Sequence, residues 1–543
     1  MSSATRYFHT LRHLRPIQVA GRVWHRLYRP QPDLRVAPRR RSPVREYVEP
    51  CLPQPSLSGP DSFRLLNVER RCGSPGDWQP PGADLLWIYN LHYFDDLNAR
   101  DARLRAPLHV RLLERWVAEN PPAQGVGWDP YPASRRIVNW VKWTVRGGEL
   151  PARCHESLAV QARFLLGRLE YHLLGNHLLA NAKALMYAGA YFEGPEAERW
   201  FARGLAIATR QMREQVLADG GHFELSTMYH AAVLEDLLDL INLCAAFGRP
   251  VAADWEPLAQ HMHRWLLTMS HPDGGIAFFN DAAFGIAPDA QALAEYCLRL
   301  GLSPGQSATD SLVVLAASGY VRAAAGDACM LCDCAAVGPD HLPGHAHADT
   351  LSFELSLGDQ RVFVNSGTSL YGGGEERNRQ RGSAAHNTVI VDEMNSSEVW
   401  GAFRVARRAR ARIHSIAARP FPVIEASHDG YLRLHGRNIH SRRWMLDRDS
   451  LRIEDRVTGR FERAQARFHL HPNVDARIAD HHCVELTMSN GARMRMNFDG
   501  AEAVAVDSGS WHPRFGMAVA NRCVVAQFRR DSLTTRMQWV SLS

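Results

Sequence analysis

The amino-acid sequence predicts an α+β protein of two domains, α-helical over 1–305 and an antiparallel β-sandwich over 306–543. Two textures predict it. Between Ala106 and Leu300 apolar residues recur at three- and four-residue intervals, with short polar or Gly/Pro breaks. After Pro304 the segments become short, β-branched and aromatic, bounded by Gly, Asp or Asn turns.

The helical segments read in order are Leu108–Glu119, Ser134–Val145, Glu156–Leu173, Leu178–Tyr191, Ala197–Leu217, Met228–Phe247, Glu256–Ser270 and Ala290–Leu300. Neighbouring helices joined by short loops form antiparallel hairpins, and a long series of hairpins must curl into a bundle, a solenoid or a closed ring. Strands are expected in Asp310–Ala323, Leu351–Leu357, Arg361–Val364, Asn387–Val391, Ser441–Asp447, Leu451–Val457, Ala464–His471 and Gly516–Phe528. Strands at such spacing without intervening helices indicate a sandwich. Residues 31–85, rich in Pro and Arg, read as an irregular segment wrapped over the surface.

Composition excludes several classes. A chain of 543 residues that is 45% hydrophobic and 22% charged is globular and can bury more than one core. Its longest apolar run, Leu312–Ala317, is far too short to span a bilayer. The net charge is +6, and no nucleic-acid-binding motif appears, so no nucleic-acid partner is expected. Of the 63 basic residues, 61 are arginine; Lys142 and Lys183 are the exceptions. Codon usage accounts for most of them, but an arginine fork also binds carboxylate or sulfate in a bidentate way that lysine cannot. Ten scattered cysteines fit a reducing compartment, and Cys329, Cys332 and Cys334 fall in an apolar run that reads as a strand.

Met1–Pro30 carries Arg6, Arg12, Arg15, Arg22, Arg26 and Arg29 among aromatics and lacks a continuous apolar run before a cleavage site. No secretory signal is read there; the cytoplasm is the expected compartment and the periplasm the alternative. The stretch suits a helix packed on its own domain or a basic amphipathic helix on an anionic membrane surface.

Four stretches concentrate polar and aromatic residues at element ends. In Tyr171–Asn181, Gly175 breaks a helical run and Asn176 and His177 open the next helix. Asp219–His230 is a turn into a helix that carries Tyr229 and His230 in its first turn, with Glu224 in the loop before it. Asn176 could simply be an N-cap, Ser226 or Thr227 another, and Tyr229 a half-buried core aromatic. In Gly344-His-Ala-His-Ala-Asp-Thr-Leu-Ser-Phe-Glu354, two histidines two residues apart near a strand start present two imidazoles to one site. Finally Val362–Tyr371 leads through Arg377, Arg379 and Arg381 to Ala385-His-Asn-Thr-Val, where His386 could join His347 and a third donor in a metal site.

Together, Gly175-Asn-His-Leu-Leu, Ser226-Thr-Met-Tyr-His, Gly344-His-Ala-His-Ala-Asp-Thr-Leu-Ser-Phe and Ala385-His-Asn-Thr-Val resemble the heparinase II/III polysaccharide lyase superfamily, in order and separation. The resemblance implies an incomplete (α/α) toroid followed by an antiparallel β-sandwich. It also implies β-elimination on an acidic polysaccharide, either glycosaminoglycan-like or a bacterial surface polymer. Removing the C5 proton of a uronate whose carboxylate is ionised would create a dianion, so the chemistry needs a carboxylate neutraliser, a base near C5 and an acid near O4.

Carried over by motif, Asn176 neutralises the carboxylate, helped by His177. Tyr229 is the acid and, if a cationic neighbour lowers its pKa, a tyrosinate base; His345 is the alternate base. Tyr131, Arg136, Glu224, His230 and Arg379 are the expected substrate-binding residues. Zinc-binding members resemble this chain at His347 and His386 but carry aspartate where Asn365 stands, and an amide is a poor zinc ligand. A divalent cation, zinc or calcium, would therefore be structural; no organic cofactor is expected, and homo-oligomer formation is left open. Two rival readings stand beside the lyase: a glycoside hydrolase using Glu224 and Asp349, and a non-catalytic polysaccharide-binding or assembly protein.

Overall fold

The computed structural model describes residues 3–540. Helices Ala106–Glu119, Pro130–Val145, Ala152–Leu166, Gly175–Tyr191, Gly194–Gln215, Thr227–Phe247, Trp255–Thr268 and Ala290–Arg299 follow the expected series, preceded by Ser3–Leu11, Pro16–Leu27 and Leu85–Tyr93. Ala106–Glu119, Pro130–Val145 and Gly194–Gln215 each carry proline in the first turn, where its missing N–H leaves no hydrogen bond unmade. Their apolar faces meet in one core that includes Trp116, Trp140, Leu185 and Leu237.

One helix ends earlier than its periodicity predicts. Ala152–Leu166 stops at Gly167, although Leu169 and Leu173 continue the apolar spacing. The chain instead turns through Glu170 and reaches Leu174 at a positive φ of 64°. Residues 31–85 also differ from expectation: Leu57–Gly59, Ser62–Leu65 and Val68–Arg71 form a three-stranded antiparallel sheet. Tyr47, Phe63 and Trp78 from this stretch are buried in the helical core.

Beyond Leu312 antiparallel sheets take over. One has five strands in sequence order, Leu312–Leu315, Tyr320–Ala325, Ala328–Asp333, Phe353–Leu357 and Gln360–Phe363. The eight-stranded sheet runs in the order Ala411–Ala417, Val423–His428, Ile439–Leu446, Ser450–Thr458, Ser532–Val540, Arg493–Asp499, Cys483–Met488, Val474–Asp480. A four-stranded sheet places Ala503–Trp511, Val519–Phe528, Ala464–His469 and Val389–Val391 side by side. Residues of all three sheets, among them Phe353, Trp444, Ile453, Phe468 and Val524, share one core. All ten cysteines are free and buried.

The helical and sheet parts meet through buried polar bonds rather than apolar contact alone. The coil after Trp255–Thr268 sends His271 to Glu354 (2.8 Å) and the Asn280 amide to Asp349 (2.9 Å), while the Tyr320 hydroxyl donates to the Leu225 carbonyl (2.7 Å). Buried polar groups with fixed partners lock one docking geometry. That junction holds the site.

Candidate active site

Asp281 organises the site from beneath. It lies in the coil Ile276–Phe284, fully buried, and its carboxylate accepts from His345 Nδ1 (2.8 Å), His347 Nε2 (2.8 Å), Thr368 Oγ1 (3.1 Å) and Arg377 Nη2 (2.7 Å), with Arg377 Nη1 closing a bidentate pair. Burial would raise its pKa, but Arg377 and the two histidines outweigh it and hold the carboxyl well below the usual range. An ionised Asp281 takes the Nδ1 proton of His345 in a hydrogen bond and leaves Nε2 as the basic nitrogen.

The ring of His345 stacks on that of Tyr229 at 4.0 Å between centroids, and its Nε2 lies 3.7 Å from Glu224. Tyr229 occupies the first turn of Thr227–Phe247, fixed by the Ser226 cap that accepts from its backbone N–H (3.2 Å). Its hydroxyl meets that of Tyr371 at 2.9 Å. Burial, Tyr371 and Asp281 push the Tyr229 phenol well above its ordinary pKa. The expected lowering by a cation therefore does not occur here, because the neighbouring guanidinium of Arg377 is engaged by Asp281. Tyr229 therefore rests as the protonated phenol and not as a tyrosinate.

On the helical side, Asn176 and His177 open Gly175–Tyr191. Gly175 sits at φ 52°, a left-handed conformation that favours glycine, and a Cβ there would press on the side-chain ends of Leu342 (2.4 Å from Cδ2) and Glu224 (3.0 Å from Oε1). His177 Nδ1 bonds Glu170 Oε1 (3.1 Å), whose other oxygen accepts from Asn181 (2.9 Å). Burial opposes protonation of His177, yet the Glu170 carboxylate prevails and raises its pKa. The half-buried ring of Tyr131 lies 4.6 Å from that of His177. Glu224 lies between the two groups, influenced by both His345 and His177; burial raises its pKa, and neither carboxyl oxygen has a hydrogen-bond partner among the described residues.

Three expected binding residues are elsewhere. Arg136 is fully buried, bonds Gln161 (2.9 Å) and the His92 carbonyl (3.3 Å), and lies 3.8 Å over the Trp116 ring. His230 is likewise buried, bonded to the Met262 carbonyl (2.8 Å) and stacked on Trp265. Both point into the helical core because the apolar stripe of their helices runs through them. Arg379 turns outward to Glu376 (2.7 Å) and Ser510 (2.8 Å). The helix Glu375–Arg381 explains the split: Arg377 and Arg381, four residues apart, share its buried face, with Arg379 between them on the other.

His347 and His386 do meet, Nδ1 to Nε2 at 3.2 Å. The group beside them that could serve as a third donor is Asp349 and not Asn365: potential ligand atoms of His347, Asp349 and His386 all lie within 4.8 Å of one another, fully buried. Asn365 Oδ1 sits at the far nitrogen of His386, Nδ1 (3.2 Å), where it orients the ring. Two imidazoles and a carboxylate fit a divalent cation, and the nitrogen donors favour zinc over calcium.

Sequence reasoning missed Asp281 and gave Tyr371 no role. Asp281 did leave a signal, as Asn280-Asp281 is a polar pair inside the apolar run Ile276-Ala-Phe-Phe and Ala282-Ala-Phe.

Two family signatures cover this arrangement: the heparinase II/III N-terminus matches residues 109–294 and the heparinase II/III-like C-terminal part matches 308–540. The chain belongs to the heparinase II/III family. A heparin-sulfate lyase of Bacteroides stercoris is 28% identical over 249 residues, which are 41% of this chain and 37% of that relative. The chain thus aligns with little more than a third of that relative's length. Among solved structures, heparinase III superposes with a TM-score of 0.70 at 18% identity, over 85% of this chain and 79% of that one. A heparan sulfate lyase from Pedobacter heparinus does so with a TM-score of 0.57 at 17% identity, over 97% and 87%. These likenesses share the fold, a helical part followed by antiparallel sheets.

Proposed function

We propose that this heparinase II/III family member is a polysaccharide lyase that cleaves a uronate-containing, glycosaminoglycan-like polymer by β-elimination. The finer architecture fits that reading: helical hairpins curled into an incomplete (α/α) toroid, with the sheets stacked as a sandwich. The single observation that carries it is that His345, with the Tyr229 ring against it, and the Asn176–His177 helix start meet at Glu224.

The Asn176 side-chain amide has no hydrogen-bond partner among the described residues and can donate to the uronate carboxylate, while protonated His177 supplies positive charge. Neutralised in this way, the carboxylate lets C5 release its proton to His345 Nε2. The C4–O bond breaks as the C4=C5 bond forms, and the Tyr229 phenol gives its proton to the departing oxygen. Once the proton has left, the Tyr371 hydroxyl, 2.9 Å away, can turn to donate to the phenolate. The proton gained by His345 Nε2 then returns to the phenolate through solvent once product leaves, so the cycle closes with no net gain or loss.

His347, Asp349 and His386 would hold a divalent cation. Bound there, it would supply fixed positive charge behind Asp281 and stiffen the loop that carries His345. The hydrolase reading is disfavoured because Asp349 is buried at this cluster and holds the Asn280 amide, so it is not presented with Glu224 across a sugar. Incubation with a panel of polyuronates tests the lyase reading: new near-ultraviolet absorbance with products that have gained no water supports it, and new reducing ends with added water support a hydrolase.

A further inference from the structure

The two helices at the start of the chain are packed inside out. In Pro16–Leu27 the face turned to the protein is polar: Gln18 donates to the His341 carbonyl (3.1 Å) and the His25 ring lies 4.2 Å from that of His172. Gly21 allows this close seat, since a Cβ there would fall 2.8 Å from the His172 backbone nitrogen. Arg168 fixes the helix end through the His25 carbonyl (2.7 Å). The opposite face carries Ile17, Val19, Val23, Trp24 and Leu27 in one continuous arc, and all are exposed, Trp24 by 59% and Leu27 by 77%. Ser3–Leu11 repeats the pattern: Thr10 accepts from the Trp400 indole (3.1 Å), while Phe8 (62% exposed) and Leu11 face outward.

An amphipathic helix of a folded domain normally buries its apolar stripe. Here the stripe is held out in water by specific polar anchors, which indicates a surface for something else. Charge says what. No Asp or Glu occurs before Asp33, whereas the same stretch holds Arg6, Arg12, Arg15, Arg22, Arg26 and Arg29. Among the described residues, no carboxylate pairs with Arg22, Arg26 or Arg29; Arg15 alone of the six is ion-paired, to Glu214. On the helical wheel Arg22 and Arg26 flank one edge of the apolar arc beside Val19. Trp24 and Tyr28, stacked at 4.5 Å, add the amphipathic rings suited to a headgroup boundary.

We propose that residues 3–29 form an interfacial anchor that lays the protein on an anionic lipid bilayer, with Trp24 and Leu27 inserted among acyl chains and the arginines on lipid phosphates. This rests on the N-terminal helices alone and is independent of the lyase reading. The test is sedimentation of the full chain with phosphatidylcholine vesicles containing roughly one-third phosphatidylglycerol, against vesicles of phosphatidylcholine alone. Binding to the anionic vesicles should exceed that to neutral ones by at least about tenfold and fall with added salt. Trp24→Glu with Leu27→Glu, both on exposed positions, should abolish it without altering the circular dichroism spectrum. Arg22→Gln with Arg26→Gln should weaken it by about fivefold per arginine. No binding to anionic vesicles, or binding indifferent to both variants, overturns the proposal. So does a wild-type dimer that ignores vesicles and becomes monomeric in the glutamate variant, which would give the face to a second copy of the chain.

Discussion

His345 Nδ1 lies 2.8 Å from the Asp281 carboxylate, which also holds His347 and the buried Arg377. One carboxylate thus sets the tautomer of the proposed base and neutralises the guanidinium beside it. Asp281→Asn would leave Arg377 buried without a counter-charge. We expect a loss of about 3–5 kcal/mol in urea unfolding. Activity should fall further than the folded fraction does, because Nε2 is no longer the assured basic nitrogen.

The pair of His177 and Glu170 predicts a pH dependence. His177 has a folded-state pKa raised above its usual 6.5. The stability its protonated form contributes is therefore complete below about pH 6.5 and is lost as pH rises through the higher folded value. Carboxylate binding should follow the same course, with KM rising on the alkaline side. Glu170→Gln should move that rise to lower pH; an unmoved KM profile would remove His177 from carboxylate binding.

Arg136→Lys should leave KM for an acidic polymer unchanged while costing about 1–3 kcal/mol in thermal or urea unfolding, through the lost Gln161 bond and Trp116 stacking. A raised KM with unchanged stability would restore it to the binding site.

Metal analysis of the purified chain should return one divalent cation per molecule, lost in Asp349→Asn. Chelation should lower Tm by several degrees, an effect absent in that variant. Equal Tm shifts in both proteins would place any bound cation elsewhere.

Helix positions were legible in the sequence because their apolar spacing is strong: Met228–Phe247 and Glu256–Ser270 are displaced by no more than two residues at either end. Strands such as Arg493–Asp499 went unread although Arg, Met, Arg, Met, Asn and Phe alternate, since one face is charged and the segment lacks β-branched residues. At the site, Asn176, His177, Tyr229 and His345 stood out as polar groups at element ends. Arg136 and His230 looked the same in sequence, and only packing shows that their helices turn them into the core. Asp281 is invisible to spacing, as its four partners lie 64 to 96 residues away in the chain.

The account centres on Tyr229 as the acid and His345 as the base of a β-elimination. The most direct measurement is the near-ultraviolet absorbance of the new C=C bond during turnover of a matching polyuronate, by wild type and Tyr229→Phe, with product masses read in parallel. We predict absorbance growth and products without added water for wild type, and a rate about 100- to 10,000-fold lower for a Tyr229→Phe variant that folds normally. Cleavage without that absorbance, or full activity in Tyr229→Phe, would contradict it.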